Sequence, residues 1–436
     1  MKPGFYTIMA AQFFSSLADN ALLIAAIALL RELSEPAWMT PALKQCFVLS
    51  YVILAPLVGA FADSMPKGRV MLVTNGIKIV GCTMMLMTMH PLAAYAVVGF
   101  GAAAYSPAKY GILTELLPPQ QLVVANGWIE GTTVGSIILG VLLGGALIGP
   151  RVSTFLLGFD FPVIDTGVET PPEAAIAFIV LIYVVAAIFN WYIPNTGVDH
   201  RMVKRNPVHL VREFVHCSSL LWRDKLGQVS LATTTLFWGA GATLQFILID
   251  WSAAMLELNL SQASMLQGVV AGGIAVGAVI AARTVSLRSS VKVLPIGVTM
   301  GLAVVAMMAV RSIPVAIVLM IGIGACAGFF VVPMNALLQH RGHVLMGAGH
   351  SIAVQNFNEN IGILAMVGMY SLMVHAGIGV RTAIVLFGLF VSATMALVML
   401  RHRRNQSQGD LLKLVGAEPG PHAVPVKTAS SSLGDG

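Results

Sequence analysis

Long apolar runs recur from one end of the chain to the other, separated by short breaks that hold most of the charges, prolines and glycines. At 1.5 Å per residue, runs of this kind cross the ~30 Å apolar layer of a bilayer as helices. The pattern predicts about twelve spans, near 5–30, 44–62, 69–89, 91–113, 124–149, 174–193, 226–251, 262–282, 292–310, 314–338, 347–375 and 379–400. The fold class is therefore an all-α membrane protein with about twelve transmembrane helices. The first run is too long for the 7–15 residue core of a cleavable signal and carries Asp19 in its middle, so it is read as the first span.

The connection Pro194 to Lys225 is the longest basic stretch, and it divides the spans into two sets of six. The organisation expected is a six-helix half over 1–193, a cytoplasmic basic linker over 194–225, a second six-helix half over 226–404, and a disordered cytoplasmic tail over 405–436. Leu210, Phe214, Leu220 and Leu221 alternate with charges in the linker as in an interfacial helix. Aligning Pro107 with Pro333 gives an offset of 226, which sets Asp19 on Gln245, Lys109 on Asn335 and Glu130 on Asn356. That is weak internal similarity of the kind parallel repeats leave, with a site between the halves.

Composition agrees: 57% of residues are hydrophobic, 10% are charged and the mean hydropathy is +0.84. Of the 25 Lys and Arg, 19 fall on one side if the N-terminus is cytoplasmic, 5 fall on the other, and Lys78 lies within a span. This asymmetry predicts both termini inside. It also accounts for the net charge of +6 without nucleic acid as a partner. Of the four Cys, Cys82 and Cys326 fall within spans, Cys217 in the linker and Cys46 near the outer face, so no disulfide framework is implied.

Candidate chemistry is confined to a few polar positions. Asp19 stands out, because charge at membrane depth costs at least ~2.5 kcal/mol on insertion scales and so marks either a functional site or an internal pair. Gln12, Ser16, Asp19 and Asn20 share one helix face. In the eleventh span Gln355, Asn356, Asn358, Glu359 and Asn360 form a polar knot, which lines a cavity or ties helices together. Lys109 follows Pro107 at the end of the fourth span; it snorkels, pairs with Glu130, or contacts an anion. Lys78, on a third span expected at the bundle periphery, is read as an internal pair or a snorkelling cation and left out of the site. By depth, Asp19 is expected to face Gln245, with no cation beside it. His340, His343 and His350 are placed in one inner loop as solvated side chains, and no metal, cofactor or catalytic residue is expected; no nucleotide loop or nucleophile motif is present.

After the second span comes Gly59-Ala-Phe-Ala-Asp63-Ser-Met-Pro-Lys67-Gly68-Arg69. It resembles the major facilitator superfamily signature G-x-x-x-D-x-x-G-R-[KR] with one residue inserted, and it reads as a gating latch through Asp63, Lys67 and Arg69, with Glu130 beside it. Phe13-Phe-Ser-Ser-Leu-Ala-Asp19-Asn20, the stretch AAAYSPAKYGIL over 102–113, Leu236-Phe-Trp-Gly-Ala-Gly241, Gly328 to Gln339 and Ile352-Ala-Val-Gln-Asn356 together resemble the lysophospholipid transporter (LplT) family. The resemblance covers spans 1 to 11. It implies a secondary transporter that flips lysophospholipid, chiefly lysophosphatidylethanolamine, across a bacterial inner membrane by alternating access, for reacylation by an acyl-ACP synthetase/acyltransferase. Membrane lipids are the other partners, and no enzyme activity is implied. It also carries the family's acidic site residue onto Asp19 and its basic one onto Lys109, while Gln245 stands where a basic residue is expected. The substrate-binding set is thus Asp19, Asn20, Lys109, Gln245, Gln355 and Glu359. The competing readings are a proton-coupled exporter of amphiphilic drugs, in which Asp19 or Glu359 cycles a proton, and a scaffold whose polar knots only join helices.

Overall fold

A computed structural model describes residues 3–63, 65–116, 119–158, 168–196, 207–346 and 348–407. Among them the first group of helices is α1 (Pro3–Glu32), α2 (Met39–Asp63), α3 (Lys67–Leu86), α4 (Pro91–Leu116), α5 (Pro119–Leu147), short α6 (Pro150–Leu157) and α7 (Pro171–Trp191). Then come α8 (Pro207–Arg223), α9 (Gly227–Leu256), α10 (Leu260–Thr284), α11 (Leu294–Ala306) with flanking 3₁₀ turns, α12 (Ile313–Met346), α13 (Ala348–His375) and α14 (Val380–Ser407). Among the described residues ten helices are long and apolar enough to cross a membrane, and the pair Gly131–Leu147 and Pro150–Leu157, bent by 67°, makes an eleventh if it is one span. α4, 26 residues long, lies between α2 and α3 and completes the set of long rods.

Two groups emerge from the contacts. α1 packs on α5 and α7, and α4 on α2 and α3; in the other group α10 packs on α12, α11 on α14 and α13 on α9. The groups meet through α2 against α13 and α5 against α10. Water is absent from a bilayer core, so every backbone group must bond within its helix, and the association of helices relies on close packing rather than on hydrophobic burial. Glycines make that packing possible between α10 and α12. A Cβ at Gly277 would collide with the Ala325 carbonyl, and Cβ atoms at Gly324 and Gly328 would collide with the carbonyls of Val270 and Ile274.

The contact between groups is uneven along its length. On one face of α5 lie Gly131, Gly135, Ile138, Leu142 and Gly145, at spacings of three and four residues. A Cβ at Gly145 would lie 2.6 Å from that of Ser264 on α10, and a Cβ at Gly268 would lie 2.5 Å from Leu142. At Gly131 and Gly135 a Cβ would meet nothing within 4 Å. The groups therefore touch at the end away from α8 and part toward the α8 end. The touching end has a further tie, where Ser371 Oγ donates to the Trp38 carbonyl at 2.9 Å and Trp38 meets the His375 ring edge to face.

Three expectations change at the α8 end. α12 runs on to Met346, so His340 and Arg341 sit on a helix rather than in a loop, and Arg341 is clamped to Asp224 at 2.6 Å. His350 begins α13, and the side chain of His343 lies outside the described residues. α14 continues through Asn405, whose amide donates to the Lys225 carbonyl at 3.1 Å, because the carbonyl gives the helix end a fixed partner. The rest of the expected tail, 408–436, lies outside the described residues, as do 197–206 of the linker. The other part of the linker forms α8, with Leu221 buried and Phe214 against Phe357 of α13.

Gly277→Val tests the backbone contact of α10 with α12. Overpacking costs about 1–3 kcal/mol in an ordinary core, and here a carbonyl rather than a side chain must yield. The expected outcome is a lower thermal midpoint of the purified protein in detergent, whereas Gly272→Val, at a site open to 4 Å, leaves the midpoint unchanged.

Candidate functional site

Asp19 has a cationic partner. Lys78 Nζ on α3 lies 2.8 Å from Asp19 Oδ2, and Tyr183 OH on α7 donates to Asp19 Oδ1 at 2.6 Å. Lys78 also donates to Ser15 Oγ at 2.9 Å, and Ser15 in turn donates to Asn75 Oδ1 at 2.7 Å. The ammonium sits 4.9 Å from the Tyr105 ring centre and 5.6 Å from that of Tyr183. The Lys78 side chain is 1% exposed and that of Asp19 17%, so the cation is the deeper member of the pair. Of the two readings of Lys78 the internal pair holds, and one expectation is corrected: Asp19 has a cation beside it and turns toward α3 and α7 instead of facing Gln245. The physical reason lies in α3, where Thr74, Asn75, Lys78 and Cys82 form one buried polar face directed into the bundle. That spacing was the signal available in the sequence. Tyr183 gave none, because one Tyr in an apolar run resembles an interfacial anchor.

Asn20 points elsewhere. Its Cβ is on the side of α5 at Gly140, and its amide returns to the Ser16 carbonyl of its own helix at 2.8 Å. Gln12, one face of α1 further toward the α8 end, donates to Thr133 Oγ1 on α5 at 2.6 Å. Lys109 Nζ reaches the same Thr133 hydroxyl at 3.4 Å and lies 4.6 Å from the Tyr110 ring centre. Gln12, Lys109 and Thr133 thus gather α1, α4 and α5 at one point.

A second gathering lies in the other group. Gln355 Nε2 donates to Asn335 Oδ1 of α12 at 3.0 Å and to Glu359 Oε1 at 2.8 Å, with Gln355 7% and Glu359 8% exposed. Adding 226 to Lys109 and Thr133 gives Asn335 and Glu359, so the two gatherings occupy matching places in the repeats. The first holds a cation and the second a carboxylate.

A cavity of about 210 Å³ is lined by α5, α9, α10, α11, α12 and α14. Its wall is apolar apart from Gln245 and Gln267; Gln267 Nε2 donates to the Gln245 carbonyl at 3.2 Å. Gly241 lines it too, and a Cβ there would meet nothing within 4 Å. Ile137 of the wall is one turn, about 6 Å, along α5 from Thr133. A chamber for something apolar therefore adjoins a polar antechamber.

The four gating candidates are spread along the α8 end. Lys67 is 4% exposed, donates to the Ala62 carbonyl at 2.9 Å and lies 3.9 Å from Glu115 Oε1. Arg69 is exposed at the start of α3. The side chains of Asp63 and Glu130 lie outside the described residues. Among the described residues, no group of three His, Cys, Asp or Glu is arranged to hold a metal ion.

A family model of the major facilitator superfamily matches residues 8–367. The chain is 42% identical over 381 residues to the lysophospholipid transporter LplT of Yersinia enterocolitica, covering 87% of this chain and 89% of that one. With LplT of Yersinia pestis (strain Pestoides F) it shares 43% over 371 residues, covering 85% and 86%. The chain belongs to the LplT family of the major facilitator superfamily. Solved structures agree on the superfamily fold. A bacterial homologue of the human lysosomal transporter Spinster, inward-facing and unoccupied, superposes with a TM-score of 0.67 at 16% identity over 93% of this chain and 98% of that one. Human organic anion transporter MFSD10 gives 0.63 at 16% over 92% and 100%. The LplT relatives are named transporters, and the helices of this chain are those of a multi-pass membrane protein.

For this LplT-family chain the Asp19–Lys78 pair carries a sharp expectation, since removing one member of a buried pair costs about 3–5 kcal/mol and replacing both can be neutral. Lys78→Met and Asp19→Asn each lower the thermal midpoint in detergent, and the double variant recovers most of the loss. Additive losses would show that the two side chains are not energetically coupled.

Proposed function

We propose that the protein is a secondary transporter that moves lysophospholipids, chiefly lysophosphatidylethanolamine, by alternating access between its two six-helix halves. The observation that carries the reading, beside the identity to LplT relatives, is the apolar cavity with a polar antechamber. A lysolipid has one acyl chain and a zwitterionic head, and this protein offers one apolar chamber and, in matching places of its two repeats, two oppositely charged side chains. Lys109, supported by Gln12 and Thr133, donates to the phosphate as a charge-assisted contact. Glu359, oriented by Gln355 and with Asn335 beside it, accepts the ammonium. Gln245, held by Gln267, is the polar position of the chamber wall toward the contact of α5 with α10.

In this reading Asp19 does not bind the ammonium first. Its two oxygens already serve Lys78 and Tyr183, so its charge is engaged within the first helix group. Asp19 and Lys78 instead hold α1, α3 and α7 as one body that rocks without internal change. Lys67, Arg69, Asp63 and Glu130 act at the α8 end, where the halves part, as the elements that separate and rejoin.

The excess of Lys and Arg on the side of the termini supports a bacterial inner membrane location with both termini cytoplasmic. The open end then faces the cytoplasm, which suits delivery to the inner leaflet and reacylation there by an acyl-ACP synthetase/acyltransferase. In proteoliposomes with labelled lipid, Lys109→Ala is expected to slow flipping of lysophosphatidylethanolamine and lysophosphatidylglycerol alike by more than about tenfold, equivalent to 1.4 kcal/mol. Glu359→Gln should slow the ethanolamine lipid alone, since the glycerol head has no ammonium. Gly241→Leu fills the chamber and should favour lauroyl over stearoyl chains. Equal rates for wild type and all three variants would sink the assignment.

A further inference from the structure

A second cavity, about 270 Å³, opens on the outside of the first helix group at the α8 end. Its lining comes from α3, α4, α7 and the residues after α7, with none from α9 to α14, so it is separate from the chamber between the groups. Three features meet there. The first is positive charge: Arg69 is exposed in the first turn of α3, and Lys67 is buried behind it, partly offset by Glu115 at 3.9 Å. The second is the start of α3 itself, where Pro66 leaves the 20-residue helix without a side-chain cap and the dipole favours an anion. The third is an acceptor. Asn190, 2% exposed, spends its amide nitrogen on the Met71 carbonyl at 3.2 Å, while its Oδ1 is buried with no hydrogen-bond partner.

A buried acceptor without a donor has lost its bond to water with nothing in return, so this one asks for a ligand that brings an N–H or O–H. The cations and the helix start ask for an anion. Both sit at the foot of a lipid-facing groove, because Val73 and Val80 on α3 and Val184, Ile188 and Trp191 on α7 are exposed apolar side chains rising from the cavity. Trp191 and Tyr192 at 75% and 72% exposure form the aromatic rim usual at a membrane interface.

We propose that this cavity binds the headgroup of an intact membrane phospholipid, one that carries a phosphodiester and at least one N–H or O–H donor. Arg69 and the α3 amides take the phosphate, Asn190 Oδ1 takes the donor, and the acyl chains lie along α3 and α7. Phosphatidylethanolamine and phosphatidylglycerol satisfy both requirements. Phosphatidylcholine satisfies the first only.

Native mass spectrometry of the full chain, titrated with each of the three lipids in turn, tests this. Wild type is expected to retain one ethanolamine or glycerol lipid at least fivefold more tightly than choline lipid. Asn190→Leu should remove that preference, and Arg69→Gln should weaken all three about tenfold, with Arg283→Gln, an exposed arginine at the end of α10, as the control. Arg69→Gln alters an exposed side chain and keeps the reading open should Asn190→Leu fold poorly. Equal losses in Arg69→Gln and Arg283→Gln would overturn the site as unspecific attraction, and so would a wild type with no preference among the lipids. Millimolar inorganic phosphate that displaces the lipid would reassign the site to a soluble anion. None of these readouts depends on flipping, so a transport defect and a failure here are distinguishable.

Discussion

An ammonium carried into the middle of a helix bundle must find its counter-charge there, because neither lipid nor apolar side chains can solvate it. Lys78 meets that condition through Asp19 at 2.8 Å, Ser15 at 2.9 Å and the faces of Tyr105 and Tyr183. Four helices supply these groups: α1, α3, α4 and α7. Their relative placement is therefore specified by polar geometry as well as by packing. A bundle fixed in this way can be displaced as a unit, and alternating access needs units of that kind.

The second group of helices is held differently. α10 and α12 come together backbone to backbone through Gly277, Gly324 and Gly328. Close packing without side chains leaves room nearby for the apolar chamber, whose walls come from six helices. The first group thus contributes the cation of Lys109 and one wall of the chamber, and the second the carboxylate of Glu359 and the other five walls. A ligand with a charged head and one long apolar chain is the natural complement of such a division.

Much of this was legible in the chain. Apolar run length gives the spans, and the motifs around Asp19, Lys109 and Pro333 give the family. The offset of 226 pairs Asn335 with Lys109 from the sequence alone. What could not be read was direction around a helix axis. Asp19 and Asn20 are adjacent in sequence, yet one turns to α3 and α7 and the other toward α5. In a helix apolar on nearly all sides the hydrophobic pattern has no preferred face, so nothing in it assigns a lone polar residue to a neighbour. The chamber was hidden for the same reason, since Ile137, Leu244 and Ile323 look like any other apolar residues until the helices are assembled.

The graded face of α5 has a mechanical side. Contact at Gly145 and open space at Gly131 are separated by 14 residues of rigid helix, an arm of about 21 Å. A tilt of about 10° about the contact swings the open end through roughly 4 Å. Glycine at both ends of this arm lets the same helix serve as fulcrum at one extreme and as a flush closing surface at the other, and a single added methyl group at the fulcrum would shift the resting angle of the whole half.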